Sequence, residues 1–292
     1  MTLLAYPPTY LPAPQPEVTS LTGAPLLQVS AAGDTAYLAY DNSPGGPLAS
    51  WTASTPDTFA VSPSTIVATD LATSADGSLF AVRANNTTGI YSTGLTLIAS
   101  PANAELESVP NRVAVPGILL HPTGALLYEP FLDGPAPLAP PPTGLHAGID
   151  IRDAHNGQLR LRVSLPEPFA MLSTDVDGLH GGFLTIDENG QRLFALTTSG
   201  LAIVKLASVP LGIGTLSPSA GSAAGGVSVT LRGSGFVNGT KVTLGGKSAN
   251  VTWKDMNTLT FATPAVSPGL QQLVLTNPDG ETVSLDAAFL AQ

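Results

Sequence analysis

A strand-turn-strand pattern is clearest at Leu71-Ala72-Thr73-Ser74-Ala75-Asp76-Gly77-Ser78-Leu79-Phe80-Ala81-Val82, where two apolar runs flank a polar turn that carries a glycine. Such a pattern is typical of two antiparallel strands joined by a hairpin. It occurs three more times, at residues 26–39, 118–128 and 183–196. Recurrence of one strand pair predicts a repeat architecture for the first two thirds of the chain.

The spacing of the repeats indicates the size of the unit. The turn glycines Gly33, Gly77, Gly124 and Gly190 are separated by 44, 47 and 66 residues. The first two intervals match a four-stranded propeller blade of roughly 40–50 residues. The third interval contains the Pro-rich run 138–144, a stiff excursion that lengthens a repeat without disrupting a blade. We therefore expect about four blades, either as a small closed propeller or as a propeller fragment, with a β-sandwich as the alternative.

The rest of the chain also reads as strands. Short alternating runs such as Gln158–Val163 and Gln272–Thr276 dominate, and no segment keeps the apolar spacing of a helix over about ten residues. The predicted fold class is therefore all-β. The repeats resemble the β-propeller repeats of the YVTN and NHL type found in bacterial surface proteins. The best match is the last unit, which is followed by a further strand-like run at Ser199–Leu206.

A second type of sequence begins near Ser208. Its ordered motifs are SPSAG at 217–221, GGVSVTLRGSGF at 225–236, TKVTLGG at 240–246, LTFATP at 259–264 and TNPDG at 276–280. Alternating apolar residues predict one buried face, with Phe236 at the end of its core. That face consists of Val227, Val229, Leu231, Val242, Leu244, Leu259 and Phe261. This region resembles an IPT/TIG domain, which implies an immunoglobulin-like β-sandwich.

Charge separates the same two regions. The chain has 11 basic and 21 acidic side chains, giving a net charge of −10. Residues 1–207 hold 7 of the basic and 17 of the acidic groups, whereas residues 208–292 hold 4 of each. A nucleic-acid partner is disfavoured, because phosphate binding needs a basic surplus. We expect a Pro-rich N-terminal arm at 1–20, a propeller-like repeat domain at 21–207 and the IPT/TIG domain at 208–292.

Motifs for chemistry are largely missing. The run Gly245-Gly246-Lys247-Ser248 ends like a phosphate-binding loop, but Lys241 stands where that motif needs its first glycine, so a hairpin is expected. The histidines, His121, His146, His155 and His180, lack the close spacing of a zincin helix. With no cysteine, disulfides and thiolate metal sites are excluded. No cofactor is implied.

Two acidic turns, Asp175-Val176-Asp177-Gly178 and Asp187-Glu188-Asn189-Gly190, have oxygen ligands that suit Ca²⁺, but neither continues as an EF-hand loop. Ordinary turn chemistry is the favoured interpretation. His180 near Asp175 and Asp177 is likewise interpreted as a polar loop rather than an acid/base pair. The lysines Lys241, Lys247 and Lys254 are expected to form a solvated strand face. Trp253 is expected at the sandwich edge, with partner contact as the alternative.

These observations predict a non-catalytic binding or adhesion protein outside the cell or on its surface. Its propeller loops would present a ligand surface to a protein or carbohydrate, and the IPT/TIG domain would be a spacer or interaction module. No run approaches the ~18 apolar residues of a membrane helix, and no signal peptide is present in this numbering. One alternative is a structural subunit that self-associates through strand edges or the N-terminal arm. Another is an extracellular polysaccharide-active enzyme.

Overall fold

The fold is described from a computed structural model that covers residues 25–40, 45–84, 87–100, 112–134, 146–170 and 183–292. Within these ranges every regular element is a β-strand, which confirms the all-β prediction. A helix able to cross a membrane is not found in the part of the chain that is described. The predicted N-terminal arm and the Pro-rich run 138–144 lie outside the described residues, so both stay predictions.

Within the described residues, the repeat region forms four antiparallel sheets, here called blades 1 to 4, in agreement with the expectation of about four. Blade 1 contains β1 (Pro25–Val29), β2 (Thr35–Tyr40), β3 (Gly46–Thr52) and β4 (Phe59–Ile66). Blade 2 contains β5 (Asp70–Thr73), β6 (Leu79–Ala84), β7 (Thr87–Ser92) and β8 (Leu97–Ala99). Blade 3 contains β9 (Val113–Ala114), β10 (Leu119–Leu120), β11 (Leu126–Asp133), β12 (His146–Asp153) and β13 (Leu159–Ser164). Blade 4 contains β14 (Leu184–Ile186), β15 (Arg192–Thr197) and β16 (Gly200–Lys205).

One turn geometry recurs in all four blades. The first residue of each turn donates its backbone N–H to the carbonyl of the residue that begins the next strand, five positions later. These pairs are Ser30–Thr35 at 3.0 Å, Ser74–Leu79 at 2.9 Å, His121–Leu126 at 2.8 Å and Asp187–Arg192 at 3.1 Å. The four turn glycines all have positive φ, between 66° and 76°, a conformation that glycine adopts without strain. The repeat read from the sequence is therefore a structural repeat.

The turns also connect the blades. Ala31 of blade 1 donates its N–H to Ala75 of blade 2 at 2.9 Å, and Ala75 donates to Pro122 of blade 3 at 2.9 Å. A Cβ atom at Gly77 would collide with the Thr35 hydroxyl, so this turn needs glycine for close approach as well as for its φ. Successive first strands are neighbours in space, which gives the radial order of a propeller.

Three apolar clusters separate the four blades. The cluster between blades 1 and 2 contains Leu26, Tyr37, Ala39, Leu48, Leu71, Phe80 and Val82. The one between blades 2 and 3 contains Ala72, Ala81, Ile90, Ile118, Leu120 and Leu127. The one between blades 3 and 4 contains Tyr128, Ile149, Ile151, Leu184, Leu193 and Ala195. Each inner blade therefore buries both of its faces, one against the preceding blade and one against the following blade.

The C-terminal region is a two-sheet sandwich. One sheet has the order β17 (Gly212–Ser217), β19 (Ser228–Ser234), β23 (Thr258–Ala262), β22 (Asn250–Asp255). The other has the order β18 (Ala220–Gly221), β25 (Thr282–Ala291), β24 (Gly269–Thr276), β20 (Lys241–Leu244), β21 (Lys247–Ser248). The predicted inner face is confirmed: Val227 packs against the core, and the other six residues and Phe236 are buried in it.

Polar contacts join the sandwich to the blades. The Arg160 guanidinium of β13 donates to the Glu281 carboxylate at 3.1 Å and to the Leu211 carbonyl at 3.2 Å. The buried hydroxyl of Thr123, in the turn of blade 3, donates to the Gly233 carbonyl at 2.9 Å. The boundary predicted at residues 207 and 208 falls between the end of β16 and the start of β17, and stays a prediction.

Arg160→Ala is expected to weaken this junction by about 1.5–3 kcal/mol, because hydrogen bonds from a charged group are lost together. Each region has one tryptophan, Trp51 in β3 and Trp253 in β22. Urea unfolding of the W51F and W253F backgrounds therefore reports the two regions separately. The two transitions should coincide with Arg160 present and separate in the R160A variant; coincident transitions in both would contradict the junction's role.

Candidate functional site

The sequence-predicted polar candidates do not come together. Among the described histidines, His121 lies in the turn between β10 and β11, His146 is exposed at the start of β12, and His155 lies in the turn after β12. His180, Asp175 and Asp177 fall outside the described residues, and their interpretation as a polar loop stays a prediction. No group of three or more potential metal ligands is found within the described ranges.

The side-chain oxygen atoms of Asp187 and Asn189 in this turn accept hydrogen bonds from other residues of the protein. The Asp187 carboxylate accepts the N–H groups of Gln191 at 2.7 Å and Arg192 at 3.1 Å, as a turn-capping group does. The Asn189 side-chain oxygen accepts a hydrogen bond from Asn257 of the sandwich at 3.1 Å. This turn therefore has a structural role and also contributes to the junction.

The C-terminal candidates lie on different surfaces. Gly245 and Gly246 have positive φ and form the hairpin between β20 and β21, as predicted. Lys241 and Lys247 are exposed on one sheet and Lys254 on the other, so the three do not form a single strand face. Trp253 lies on the edge strand β22, is 41% exposed, and donates its indole N–H to the Phe236 carbonyl at 3.3 Å.

The structure contains a buried charge network that the sequence reading missed. It lies at the interface of blades 2 and 3 and extends across blade 3. Its basic members are Arg83, Arg112, Arg152 and Arg162, and its acidic members are Glu129, Asp133 and Asp150. Four of the seven basic groups in residues 1–207 are therefore used inside the fold. The signal that could have indicated this network was the presence of charged residues within otherwise apolar strands. Alternation of apolar and polar residues alone predicts that such charged residues face solvent.

The centre of this network is an acidic pair held together by one arginine. Glu129 of β11 and Asp150 of β12 are directly opposite in register, where two like charges repel. Arg152 lies within 3.1 Å of the Glu129 carboxylate and 2.9 Å of the Asp150 carboxylate. Both acids are buried, and Thr88 of blade 2 donates to Glu129 at 2.7 Å. The two carboxylates are therefore buried between blades 2 and 3 and paired with the opposite charge of Arg152.

His121 lies at the centre of the turn region. Its Nδ1 atom is 2.8 Å from the Thr123 hydroxyl. Desolvation by burial lowers the pKa of His121 to about 4, with a smaller contribution in the same direction from Arg232, while Asn189 and Asp187 act in the opposite direction. The ring is therefore neutral in the folded protein at neutral pH.

The low pKa of His121 predicts acid sensitivity. Between pH 6.5 and about 4 the unfolded chain binds a proton that the folded protein excludes, so the free energy of unfolding falls as the pH falls. Across that window the free energy of unfolding falls by roughly 3 kcal/mol through His121 alone. Above pH 6.5 His121 causes no such loss, because it is neutral in both the folded and the unfolded chain. His121→Ser introduces the residue type that stands at the equivalent turn positions, Ser30 and Ser74. The free energy of unfolding of this variant, measured by urea titration from pH 4 to 7, should depend less on pH than that of the wild type. Parallel slopes for the two proteins would contradict the prediction.

An apolar groove lies on the outer face of blade 1, the face directed away from blade 2. The groove has a volume of about 150 Å³, and its lining includes Leu27, Val29, Leu38, Trp51 and Val61. The Trp51 indole N–H already donates to the Pro56 carbonyl at 2.9 Å. The groove therefore offers aliphatic and aromatic surface to a ligand.

Leu27, which lines this groove, is far more exposed than the residues at the same position in the other blades. Leu27 lies six residues before its turn glycine, as do Leu71, Ile118 and Leu184 in the other blades. Those three are 4%, 2% and 3% exposed, whereas Leu27 is 58% exposed. The outer face of blade 1 thus matches an inter-blade face, but it has no neighbouring blade among the residues that the structure describes.

The motifs of the sandwich agree with a known family. The family model for the IPT/TIG domain matches residues 211–290. Residues 211–290 are an IPT/TIG domain. The resemblance deduced from the sequence is therefore confirmed for this region. A comparison with curated protein sequences finds no relative of the chain.

Solved structures show only distant likeness. The Cps50 (Swd1) β-propeller domain of Myceliophteria thermophila is 12% identical, with 90% of this chain and 86% of that chain covered and a TM-score of 0.38. An auxiliary nutrient binding protein of Bacteroides ovatus is 23% identical, with 29% and 21% covered and a TM-score of 0.25. SGBP-B from a xyloglucan utilization locus of Bacteroides uniformis is 18% identical, with 55% and 48% covered and a TM-score of 0.26. The chain thus spans about a fifth and about half of the two Bacteroides proteins, and likeness at this level carries no conclusion about function.

Proposed function

We propose that this protein is a non-catalytic binding protein of the cell surface, in which the blades present the ligand surface and the IPT/TIG domain is a rigid spacer. The observation that carries the proposal is the open apolar groove on the outer face of blade 1. Exposed Leu27 and Val29 beside Trp51 are the kind of surface that marks an interaction site. The resemblance of the repeats to bacterial surface proteins supports the location.

The lining of the groove favours a protein partner over a carbohydrate. A sugar is recognised through placed hydrogen-bonding groups beside aromatic rings, and the indole N–H in this groove is used by Pro56. Aliphatic groups such as Leu27, Val29 and Val61 suit apolar side chains of another protein instead.

Contacts at the junction support the spacer role. Arg160, Thr123 and Asn257 each hydrogen-bond across from one region to the other, at 3.1, 2.9 and 3.1 Å. Contacts from three separate elements restrict rotation of the IPT/TIG domain relative to blades 3 and 4. A spacer held in this way would present the groove in a constant orientation.

The enzyme alternative has less support. Paired carboxylates that act on a polysaccharide must reach solvent and the glycosidic bond. Glu129 and Asp150, which are directly opposite on neighbouring strands, are buried and ion-paired to Arg152. We therefore propose a role without bond cleavage.

The groove can be tested with the environment-sensitive dye 8-anilinonaphthalene-1-sulfonate in a W253F background, where Trp51 is the remaining fluorescence donor. Leu27→Glu should weaken dye binding at least about fivefold, because a carboxylate in an apolar site costs more than 1 kcal/mol. Leu270→Glu is the matched control, since Leu270 is equally apolar and exposed but lies on the IPT/TIG domain. Equal dye binding by both variants would reject the groove as the site.

The surface location is tested by adding protease to intact source cells. Loss of the native protein is expected, and full protection from the protease would reject the surface location.

A further inference from the structure

The outer face of blade 4, the face directed away from blade 3, is also exposed in the part of the chain that the structure describes. It consists of Phe194 and Leu196 of β15 with Ile203 and Leu201 of β16, which are paired directly across the two strands. Leu196, Leu201 and Ile203 are 43%, 62% and 59% exposed. Four apolar side chains thus form one patch on the last sheet of the arc.

The same positions are buried in the other blades. Phe194 lies four residues after its turn glycine, as do Tyr37, Ala81 and Tyr128, which all pack against the following blade. Ile203 lies opposite Phe194, as Ile90 lies opposite Ala81 and Ile151 opposite Tyr128. Ile90 and Ile151 are completely buried. The patch on blade 4 therefore matches an inter-blade face, and no following blade packs on it in the described part of the chain.

The two ends of the arc carry the two halves of one type of interface. Between blades 2 and 3, Ala81 and Ile90 pack against Ile118, Leu120 and Leu127. At the ends, blade 4 presents the first half of this contact and blade 1 presents the second half. Both halves are exposed, so within the described residues neither end of the arc covers the other.

We propose that copies of this chain associate head to tail, with the outer face of blade 4 of one copy packed on the outer face of blade 1 of the next. The contact continues the packing found between the inner blades. This inference rests on the proposed function, since it identifies the partner of the blade 1 groove as a second copy of the chain. Such a contact is heterologous, so it forms a ring where the rotation closes and a filament where it does not. Closure at two copies would give eight blades, within the known range of propellers.

The test is complementation between two end variants of the full chain, followed by multi-angle light scattering from micromolar to millimolar concentration. The wild type should exceed the mass of one chain and rise with concentration. Leu27→Glu disrupts the outer face of blade 1, and Ile203→Glu disrupts the outer face of blade 4. Each variant alone should therefore keep the mass of one chain. An equimolar mixture should form pairs with twice that mass and nothing larger, because each pair retains one intact interface. Leu270→Glu should assemble like the wild type.

Three results would overturn the inference: a wild type that keeps the mass of one chain at all concentrations, end variants that assemble as the wild type does, or a mixture that does not pair. Self-association of I203E but not L27E would indicate contact between two blade 1 faces instead. Both substituted side chains are exposed, so folding is expected; Leu27→Ser and Ile203→Ser are the milder pair if either glutamate variant misfolds. Dye binding in the groove at micromolar concentration without any assembly would keep the proposed function and reject only the second copy.

Discussion

Asp150→Ala is expected to lower the free energy of unfolding by about 3–5 kcal/mol, the range for breaking a buried ion pair on one side. The Asp150 carboxylate lies 2.7 Å from the Arg162 Nε atom and 2.9 Å from the Arg152 Nη2 atom. Its removal leaves the buried Arg152 guanidinium with a weaker set of acceptors. Arg112, 4.0 Å from the same carboxylate, also loses a neighbouring opposite charge. Urea unfolding at pH 7 measures the change.

The matched control is Arg192→Ala, which removes an exposed ion pair. Arg192 lies 3.3 Å from Asp187, and its side chain is 53% exposed. Surface pairs of this kind contribute at most about 1 kcal/mol. Losses of similar size for the two variants would show that the network inside blade 3 is solvated, contrary to the structure.

Leu71→Ala and Leu27→Ala are expected to differ sharply in stability, although the two leucines occupy the same position in their blades. Leu71 is buried between blades 1 and 2, and its truncation should cost about 2–5 kcal/mol through lost burial and a residual cavity. Leu27 is exposed, and its truncation should cost less than about 0.5 kcal/mol in the unassembled protein. Urea unfolding at submicromolar concentration separates this comparison from self-association.

Equal stability losses for Leu71→Ala and Leu27→Ala would contradict this prediction. Equal large losses for both variants would mean that the outer face of blade 1 is covered, as in a closed propeller. Equal small losses would mean that blades 1 and 2 do not pack face to face. Either result would contradict the open arc.

The parts of the fold with local signals could be predicted from the sequence. Gly33 and Gly77 punctuate hairpins, and alternation in Val229 and Leu231 gives the buried face of β19, because both signals come from residues adjacent in the chain. The expectation of about four blades follows from such signals, whereas the immunoglobulin-like sandwich is implied by the resemblance to IPT/TIG domains.

The candidate site depends on contacts that sequence patterns do not encode. Leu27 and Leu71 both lie six residues before a turn glycine, yet one is exposed and the other buried. The difference arises from the presence of a neighbouring blade, which is a long-range property. Asp150 and Arg152 likewise alternate with Ile149 and Ile151 as surface residues do. Their burial follows only from the packing of blade 2 on blade 3.

Among the described residues, the arc of four blades is open at the outer face of blade 1. Because the chain has no cysteine, single thiols can be placed at the four equivalent positions as L27C, L71C, I118C and L184C. The rate of labelling by a bulky maleimide at submicromolar concentration then measures access to each position in the folded protein. The structure predicts rapid labelling of L27C and strong protection of the other three. Protection of L27C equal to theirs, or equal rapid labelling of all four, would contradict it.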